Sequence, residues 1–174
     1  MGRTQGLRLS AVRWADRGPY LAATRVSREV HRPWVFPPTS EVSYRRWLDE
    51  LRSGRHERCL LWRDEDDALL GYFGINGISY GAWRCGFLGY WLAASHTGRG
   101  YAAIGLRLLL DHAFRRLRLN RLEANIQPEN ERSIALVSRV GFRKEGFSPR
   151  YLEIGGAWRD HERWAITRDE WLQT

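Results

Sequence analysis

Apolar residues along the chain repeat with two different periods, and each period predicts one kind of element. Short segments that are continuously apolar, or that alternate between apolar and polar positions, predict strands. Stretches 18–30 and 40–52 are helix-like, and Ser40 is the predicted N-cap of the second. The predicted strands of the first half of the chain are 7–13, 59–63, 68–75 and 88–92.

The longest amphipathic stretch follows the fourth predicted strand. Its apolar residues repeat at i, i+3, i+4, i+7, i+8 and i+11, which predicts a helix with one buried face. A strand at 122–126, parallel to the fourth, and a helix at 130–140 follow, and Gly141 ends that helix. Two strands around Gly155 and Gly156 then form a predicted hairpin. The apolar face of the long helix comprises Leu106, Leu109, Leu110, Ala113, Phe114 and Leu117.

Residues 88–103 carry the most specific pattern, an apolar strand followed by two glycines and a helix. Gly98 and Gly100 allow backbone conformations that other residues resist and a close approach to a ligand. The first N–H groups of the helix lack intrahelical partners and favour an anion, and Arg99 adds a full charge at the rim. The pattern predicts a pyrophosphate site, with a plain strand-to-helix turn as the alternative. The dinucleotide fingerprint and the Walker pattern are both missing.

The segment SHTGRG at 95–100 resembles the acetyl-CoA motif Arg/Gln-x-x-Gly-x-Gly/Ala of the GNAT N-acetyltransferase superfamily. Both glycines match, and Ser95 stands where the family usually has Arg or Gln. The segment LEANIQPENERSIALVSRVGFRKEG resembles the next strand and helix of that family. YLEIGGAWRDH and an early PW resemble the closing hairpin and the substrate loop of the RimJ/RimL-type subfamily (ribosomal-protein-alanine N-acetyltransferase-like), which acetylates protein N-termini.

This resemblance implies an α/β protein with the GNAT fold, in one domain over residues 1–174. The central sheet of that fold is mixed and mostly antiparallel, with about six or seven strands splayed at its middle and about four flanking helices. Strands 88–92 and 122–126 part in such a fold, and the pantetheine arm of acetyl-CoA enters between them. The length of the chain suits one domain as well.

The resemblance also assigns the acetyl-CoA site. Leu92 and Tyr90 are expected near the pantetheine arm, and a strand amide at 90–92, released by a bulge, is the predicted oxyanion donor. Backbone N–H groups of the glycine turn hold the pyrophosphate, and Asn130 matches the family residue that contacts CoA. The predicted cofactor-binding residues are Leu92, Gly98, Arg99, Gly100, Tyr101, Ala102, Asn130 and Ser133.

Three residues are candidates for donating a proton to the departing CoA thiolate. Ser133 matches the family serine proposed for this role, and Tyr90 and Tyr151 are the alternative donors. Asn130 and Ser133 alternatively serve as the N-cap and first-turn partner of the helix. The glutamate that the subfamily is thought to use as a base falls at Leu152, so the base stays unassigned.

The acceptor site is predicted from the proline-rich loop and from polar residues on strands. Three prolines in HRPWVFPP exclude a regular helix, and the loop is either a wall of the acceptor cleft or a cover over the core. Asp160 alternatively bonds to a neighbouring loop or to His161. The predicted substrate-binding residues are Trp34, Phe36, Asn76, Glu123 and Asp160.

The resemblance implies acetyl transfer by direct attack of an amine in a ternary complex, without an acyl-enzyme. A peptide α-amine, with a pKa of about 7.7–8.0, is partly neutral near pH 7, whereas a lysine, with a pKa of about 10.4, needs a stronger base. We therefore expect a protein N-terminus, of the ribosomal-protein type, as the acceptor. The alternatives are a small-molecule amine, or a non-catalytic acyl-CoA-binding or ribosome-associated factor.

Composition narrows the expected partners. The chain is 43% hydrophobic and 28% charged, and no apolar run approaches the roughly 20 residues that cross a bilayer. No secretory signal begins it, so we expect a cytoplasmic protein without a membrane partner. The two cysteines and five histidines lack metal-type spacing, so no metal is expected. Arginines carry the net charge of +8 but are spread along the chain, so we expect no direct nucleic-acid binding. A monomer and a homodimer both fit.

Overall fold

The computed structural model describes residues 2–4 and 6–173, and one eight-stranded sheet runs through them. The strands are β1 (Arg3–Thr4), β2 (Leu7–Ala11), β3 (Glu57–Arg63), β4 (Leu69–Ser79), β5 (Cys85–Leu92), β6 (Arg121–Ile126), β7 (Arg143–Ile154) and β8 (Ala157–Thr167). Their order in the sheet is β1-β2-β3-β4-β5-β6-β8-β7, and β5 and β6 form the parallel pair among antiparallel neighbours.

Helices flank this sheet, and their bounds are α1 (Arg17–Val26), α2 (Arg28–His31), α3 (Glu41–Asp49), α4 (Tyr101–Asp111), α5 (Glu131–Val140) and α6 (Arg168–Leu172). The mixed, mostly antiparallel sheet predicted from the sequence is confirmed. The structure adds the two-residue strand β1 and the short helices α2 and α6, which are too brief to show a periodic pattern. Among the described residues, no helix has the length and apolarity that a membrane span requires.

Capping residues set the ends of the helices. Ser40 Oγ accepts a hydrogen bond from Ser43 N–H (3.2 Å) at the start of α3, as predicted. At the start of α5, Asn130 Oδ1 accepts one from Ser133 N–H (3.2 Å), and Gly141, with φ of 112°, ends that helix. These contacts satisfy N–H groups that have no intrahelical partner, and the left-handed glycine lets the chain turn away.

The apolar face of α4 packs on one side of the sheet, as its spacing predicts. Leu106, Leu109 and Phe114 are fully buried in one cluster with Phe73 of β4. Past its last α-helical residue the helix widens into a π turn at His112–Arg116. Helices α4 and α5 therefore cover this side of the sheet.

Aromatic rings fill the other side of the sheet. The ring centroid of Tyr20 lies 4.9 Å from that of Tyr44 and 5.2 Å from that of Trp91. The guanidinium of Arg58, a residue only 3% exposed, lies 4.4 Å from the ring centroid of Trp47. Stacking on an aromatic face stabilises a guanidinium that burial has removed from water. Several of the tryptophans in the chain therefore serve this second core.

Candidate active site

The parallel strands at the middle of the sheet separate soon after they begin. Strands β5 and β6 pair from Cys85 with Arg121 to Phe87 with Glu123, and no further pair joins them in the described chain. On its other edge, β5 stays paired with β4 as far as Leu92. The sheet is therefore open between β5 and β6, as the sequence predicts.

Backbone N–H groups of β5 point into this gap. Ala93 N–H donates to Leu70 C=O (2.9 Å), which sets the phase of the antiparallel β4–β5 ladder. Residues of such a strand bond alternately to one side and the other, so Trp91 bonds to β4. Tyr90 and Leu92 therefore direct their N–H groups toward the gap. These two amides can donate to a ligand lying along the open edge.

The free amides result from the parting of the strands and not from a bulge at 90–92, so that detail of our prediction is wrong. The irregularity in the β4–β5 register lies between Asn76 and Ser79. At the end of the open edge, Leu92 C=O accepts a hydrogen bond from His31 Nε2 (2.9 Å). Burial lowers the pKa of His31, so the ring is neutral while it holds this contact.

The turn between β5 and α4 has the conformation that its two glycines predict. Gly98 and Gly100 have φ angles of 74° and 80°, and a Cβ at either position would meet nothing within 4 Å. Ala103 N–H donates back to Gly100 C=O (3.1 Å). The N–H groups of Tyr101 and Ala102 stand at the start of the helix, where no earlier turn supplies a partner. The turn therefore presents main-chain donors beside open space, which suits an anion.

The electrostatic potential at this turn is positive. Arg99 is exposed at its rim. The pKa of His96 is lowered, first by burial and then by the charges of Arg63 and Arg99. The Nδ1 atom of His96 is buried and has no hydrogen-bond partner among the described residues. Sequence reasoning passed over His96 because it is a variable position of the motif.

Tyr90 and Ser133 meet beside the gap. The Tyr90 hydroxyl, from β5, and the Ser133 hydroxyl, from the first turn of α5, are hydrogen-bonded to each other. Burial raises the pKa of Tyr90 to about 12, and the contact with Ser133 acts against that rise. Tyr90 is therefore protonated at neutral pH. The cap bond from Asn130 holds the backbone of Ser133, so the structural role of this pair and a chemical role can coexist.

The structure does not bring Tyr151 to this pair. Tyr151 lies on β7, the last strand of the sheet, and β6 and β8 stand between β7 and β5. Its ring centroid is 6.1 Å from that of His161. The two hydroxyls in contact at the gap are those of Tyr90 and Ser133.

The proline-rich loop reaches the hairpin at the end of β7. The ring of Phe36, 51% exposed, lies where a Cβ on Gly155 would come within 2.6 Å of it. The Arg32 guanidinium lies 5.4 Å from the centroid of the same ring. Trp34 is partly buried, and its N–H donates to His31 C=O (2.9 Å). Loop and hairpin therefore touch at Phe36, and this ring is not a cover over the core.

Two of the predicted acceptor-site carboxylates already have partners. Asp160 Oδ1 accepts from Arg150 N–H (2.7 Å), where β7 bulges opposite it. This is the bond to a neighbouring segment that the sequence left open. Glu123 Oε1 accepts from Arg121 Nε (2.8 Å). These contacts account structurally for both carboxylates.

Asn76 lies on the same sheet face as Gly89. Its Nδ2 atom would be 3.0 Å from a Cβ on Gly89. Its Oδ1 atom is 3.2 Å from His56 Nδ1, so the two side chains hold each other beside β5. Asn76 therefore borders the floor on which an acceptor is expected.

A family model of the acetyltransferase (GNAT) domain matches residues 6–143, which include the open strand, the glycine turn and Ser133. The chain belongs to the GNAT acetyltransferase family. The resemblance seen in the sequence is confirmed.

Relatives of this GNAT chain include proteins named for N-acetylation. The probable N-acetyltransferase YjcK of Bacillus subtilis is 39% identical over 101 residues, which are 58% of this chain and 56% of the relative. The ribosomal protein uS5-alanine N-acetyltransferase of Escherichia coli is 32% identical over 111 residues, 64% of this chain and 57% of the relative. The chain thus spans little more than half the length of these curated relatives.

A solved structure agrees over a larger part of the chain. RimJ of Mycobacterium smegmatis, in complex with CoA-disulfide, has a TM-score of 0.85 and is 35% identical, covering 94% of this chain and 83% of that one. The α/β GNAT fold is therefore confirmed.

GNAT domains are acyltransferase domains, and acetyl-CoA is their co-substrate, which transfers its acetyl group to an amine. The open space over Gly98 and Gly100 and the free N–H groups of Tyr90 and Leu92 fit the pyrophosphate and the amide-bearing arm of that molecule. In the part of the chain that the structure describes, no group of three or more His, Cys, Asp or Glu could hold a metal ion.

Asn125 is a candidate site residue of this GNAT chain that sequence reasoning missed. It follows Glu123 on β6, just beyond the last pair with β5, and alternates with the buried Ala124 and Ile126. Its Oδ1 atom is buried without a hydrogen-bond partner in the described structure, which costs about 1–3 kcal/mol. A polar residue between two apolar strand positions was the available signal.

Proposed function

We propose that this chain transfers the acetyl group of acetyl-CoA to the N-terminal α-amine of a protein, by direct attack in a ternary complex. The observation that carries the proposal is the character of the acceptor side: its carboxylates are paired, and its rim is apolar. Phe36, Leu152 and Trp158 are 51%, 38% and 56% exposed on the loop and the hairpin. Such a rim suits the side chains of a peptide.

The paired carboxylates disfavour a polycationic acceptor. Glu123 contacts Arg121, and Glu145 contacts both Arg121 and Arg143. Glu162 is paired with the single lysine of the chain, Lys144. A polyamine would have to displace these cations and approach a chain of net charge +8.

The acceptor amine itself reduces the need for a strong base. With a pKa of about 7.7–8.0, roughly one α-amine in ten is neutral at pH 7, compared with about one lysine side chain in 2,500. A chain whose subfamily base position holds Leu152 therefore suits an α-amine better than a lysine. Water at the open rim can remove the remaining proton.

The residues at the gap supply the other requirements of the reaction. The N–H groups of Tyr90 and Leu92 stabilise negative charge that develops on the thioester oxygen. The hydroxyl pair of Tyr90 and Ser133 donates a hydrogen bond to the departing sulfur, so the proton lost by the amine is balanced by the one that the thiolate gains. Asn130 keeps Ser133 in place for this role.

A second candidate acceptor is a small-molecule amine. Relatives named as spermidine N-acetyltransferases favour it, and one of them is 27% identical over 116 residues. The paired carboxylates and the apolar rim are the features of this chain that speak against it.

Acetylation of matched acceptors separates these possibilities. CoA release and product mass are measured with peptides that carry free N-termini, the same peptides with blocked N-termini and internal lysines, and spermidine. The proposal predicts turnover with free N-termini and none above background with the other two. Acetylation confined to lysine or spermidine overturns the proposed acceptor, and CoA binding without any turnover supports a non-catalytic factor.

A further inference from the structure

A concave surface lies at the end of the molecule away from the glycine turn. It encloses a cavity of about 630 Å³, to which four arginines from three separate segments contribute. No acidic residue lines it among those described. We call this surface the arginine pocket, and its lining residues are Gly81, Ala82, Arg84, Arg115, Arg118, Leu119, Asn120 and Arg168.

The positive charge of the arginine pocket is incompletely balanced. Arg115 contacts Asp111 (3.1 Å), and Arg168 Nε donates to Phe114 C=O (3.4 Å). Neither Arg84 nor Arg118 has a carboxylate within ion-pair distance in the described chain. Like charges that converge in a cleft repel one another and concentrate a positive potential there, which an anion relieves.

Two of these arginines occupy backbone positions that glycine would suit better. Arg84 and Arg118 have φ angles of 41° and 54°, a region that residues with a Cβ rarely adopt. Strain of this kind is retained where surrounding contacts enforce it, and it occurs often at binding sites. The enforcing contacts are present, because Arg121 N–H donates to Arg84 C=O (3.2 Å) and Arg168 N–H donates to Asn120 C=O (2.9 Å).

Exposed aromatic rings stand next to the pocket. Tyr80 and Trp83 are 55% and 74% exposed, and they alternate with Gly81, Ala82 and Arg84 along the loop between β4 and β5. An exposed tryptophan beside unpaired arginines offers a stacking face together with cations. Proteins that bind single-stranded nucleic acid use this combination, because every base has a π face and every nucleotide a phosphate.

The pocket is separate from the acetyl-CoA site. The glycine turn precedes Tyr101 at the start of the long helix, and the pocket receives Arg115 from its end. At 1.5 Å per residue, the helical stretch 101–116 is about 24 Å long. The phosphates held at the glycine turn therefore do not account for the arginine pocket.

We propose that the arginine pocket, with Trp83 and Tyr80, binds single-stranded nucleic acid. Arg84 and Arg118 bind phosphates, and a base stacks on Trp83. The expectation of no nucleic-acid binding rested on arginines being dispersed along the sequence, and folding gathers four of them. This proposal goes beyond acetyl transfer and does not depend on the acceptor.

Fluorescence anisotropy of a labelled single-stranded RNA of about 12 nucleotides, over a salt series, tests the proposal. Saturable binding is expected. Arg84→Gln with Arg118→Gln should weaken it at least about tenfold and reduce the slope of log K against log salt by about 2, one unit for each lost phosphate contact. Trp83→Ala should weaken binding about fivefold or more through lost stacking.

A matched pair of arginines controls for net charge. Arg52 and Arg139 are exposed elsewhere, and Arg52→Gln with Arg139→Gln removes the same charge. This control should keep wild-type affinity within about twofold. Equal weakening by control and pocket variants, an unchanged affinity in Trp83→Ala, or no binding at all overturns the proposal. A change of molecular mass by light scattering in Trp83→Ala also overturns it, because the ring would then belong to an interface between copies.

Each variant is also assayed for peptide acetylation. The pocket variants should acetylate free peptides at the wild-type rate. Failure of the wild type to acetylate peptides would count against the proposed function and leave the RNA-binding result to stand independently.

Discussion

The hydroxyl of Tyr90 is hydrogen-bonded to the hydroxyl of Ser133 across the boundary between the open strand β5 and the first turn of α5. The two residues are 43 positions apart in the chain. Their contact places two neutral O–H groups beside the gap between β5 and β6. Because burial raises the pKa of Tyr90 to about 12, its hydroxyl stays protonated throughout the neutral range.

Removing the Ser133 hydroxyl should lower kcat without affecting acetyl-CoA binding. The backbone N–H of Ser133 still donates to Asn130 in Ser133→Ala, so the helix keeps its cap. We expect a loss of about 10²-fold in kcat, the usual size of a general-acid contribution. Steady-state kinetics and calorimetry with CoA measure the two quantities.

Ser138→Ala, at an exposed position of the same helix, is the matched control and should leave kcat unchanged. Tyr90→Phe should resemble Ser133→Ala, and the double variant should be hardly slower than either single variant, because the two hydroxyls act as one unit. A kcat for Ser133→Ala equal to that of the wild type would remove Ser133 from the mechanism.

Adding a methyl group at Gly100 should weaken acetyl-CoA binding. The φ of 80° at this position is unfavourable for alanine by about 1–2 kcal/mol, so the turn must relax and its N–H groups move. We expect the KM for acetyl-CoA to rise about 5- to 30-fold in Gly100→Ala, with a smaller effect on kcat.

Gly18→Ala controls for the substitution itself. Gly18 lies in α1 with open space around its Cβ position and without a left-handed φ, so alanine there should leave KM unchanged. Equal KM values for Gly100→Ala and the wild type would show that the turn does not hold the co-substrate.

Replacing Asn125 with leucine should separate stability from activity. The substitution removes a buried oxygen that lacks a partner, so the free energy of unfolding should stay level or rise by up to about 1–3 kcal/mol. The catalytic efficiency with a peptide acceptor should nevertheless fall, because a polar contact at the gap is lost. Chemical denaturation and peptide kinetics check the two halves, and a stable variant with full activity would exclude Asn125 from the site.

His31 should make the protein less stable in acid. Burial lowers the pKa of His31 below its ordinary value of about 6.5, so the unfolded chain binds a proton more readily than the folded one. The stability that the neutral ring contributes is therefore present above about pH 6.5 and lost as the pH falls toward the lowered pKa.

The comparison of the wild type with His31→Gln isolates this contribution. Denaturant unfolding between pH 7.5 and pH 5 should show a smaller loss of stability in the variant, about the pH at which an ordinary histidine titrates. Parallel pH profiles of the two proteins would contradict the assignment.

Elements with a sustained period could be predicted from the sequence. The apolar face of α4 and the left-handed glycines at 98 and 100 leave strong local signals, because burial and backbone conformation restrict which residues fit. The contact of Tyr90 with Ser133 could be anticipated only as two separate candidates. Nothing in the local sequence of either residue specifies that the two strands part between them.

Features that depend on distant segments escaped the sequence. The partners of Glu123 and Asp160 come from side-chain and bulge geometry that alternation along one strand does not reveal. The convergence of Arg84, Arg118 and Arg168 depends on three loops meeting at one end of the sheet. Charge counts along a chain record how many cations there are and not where folding collects them.

The short parallel pairing of β5 with β6 makes the sheet two half-sheets with a narrow seam. A molecule whose amides bond to the edge of β5 takes the position that a missing strand segment would occupy. Acetyl-CoA then completes the β-structure as well as delivering the acetyl group. Amide hydrogens of both halves should consequently exchange more slowly when CoA is bound, and the enzyme without it should open first along this seam.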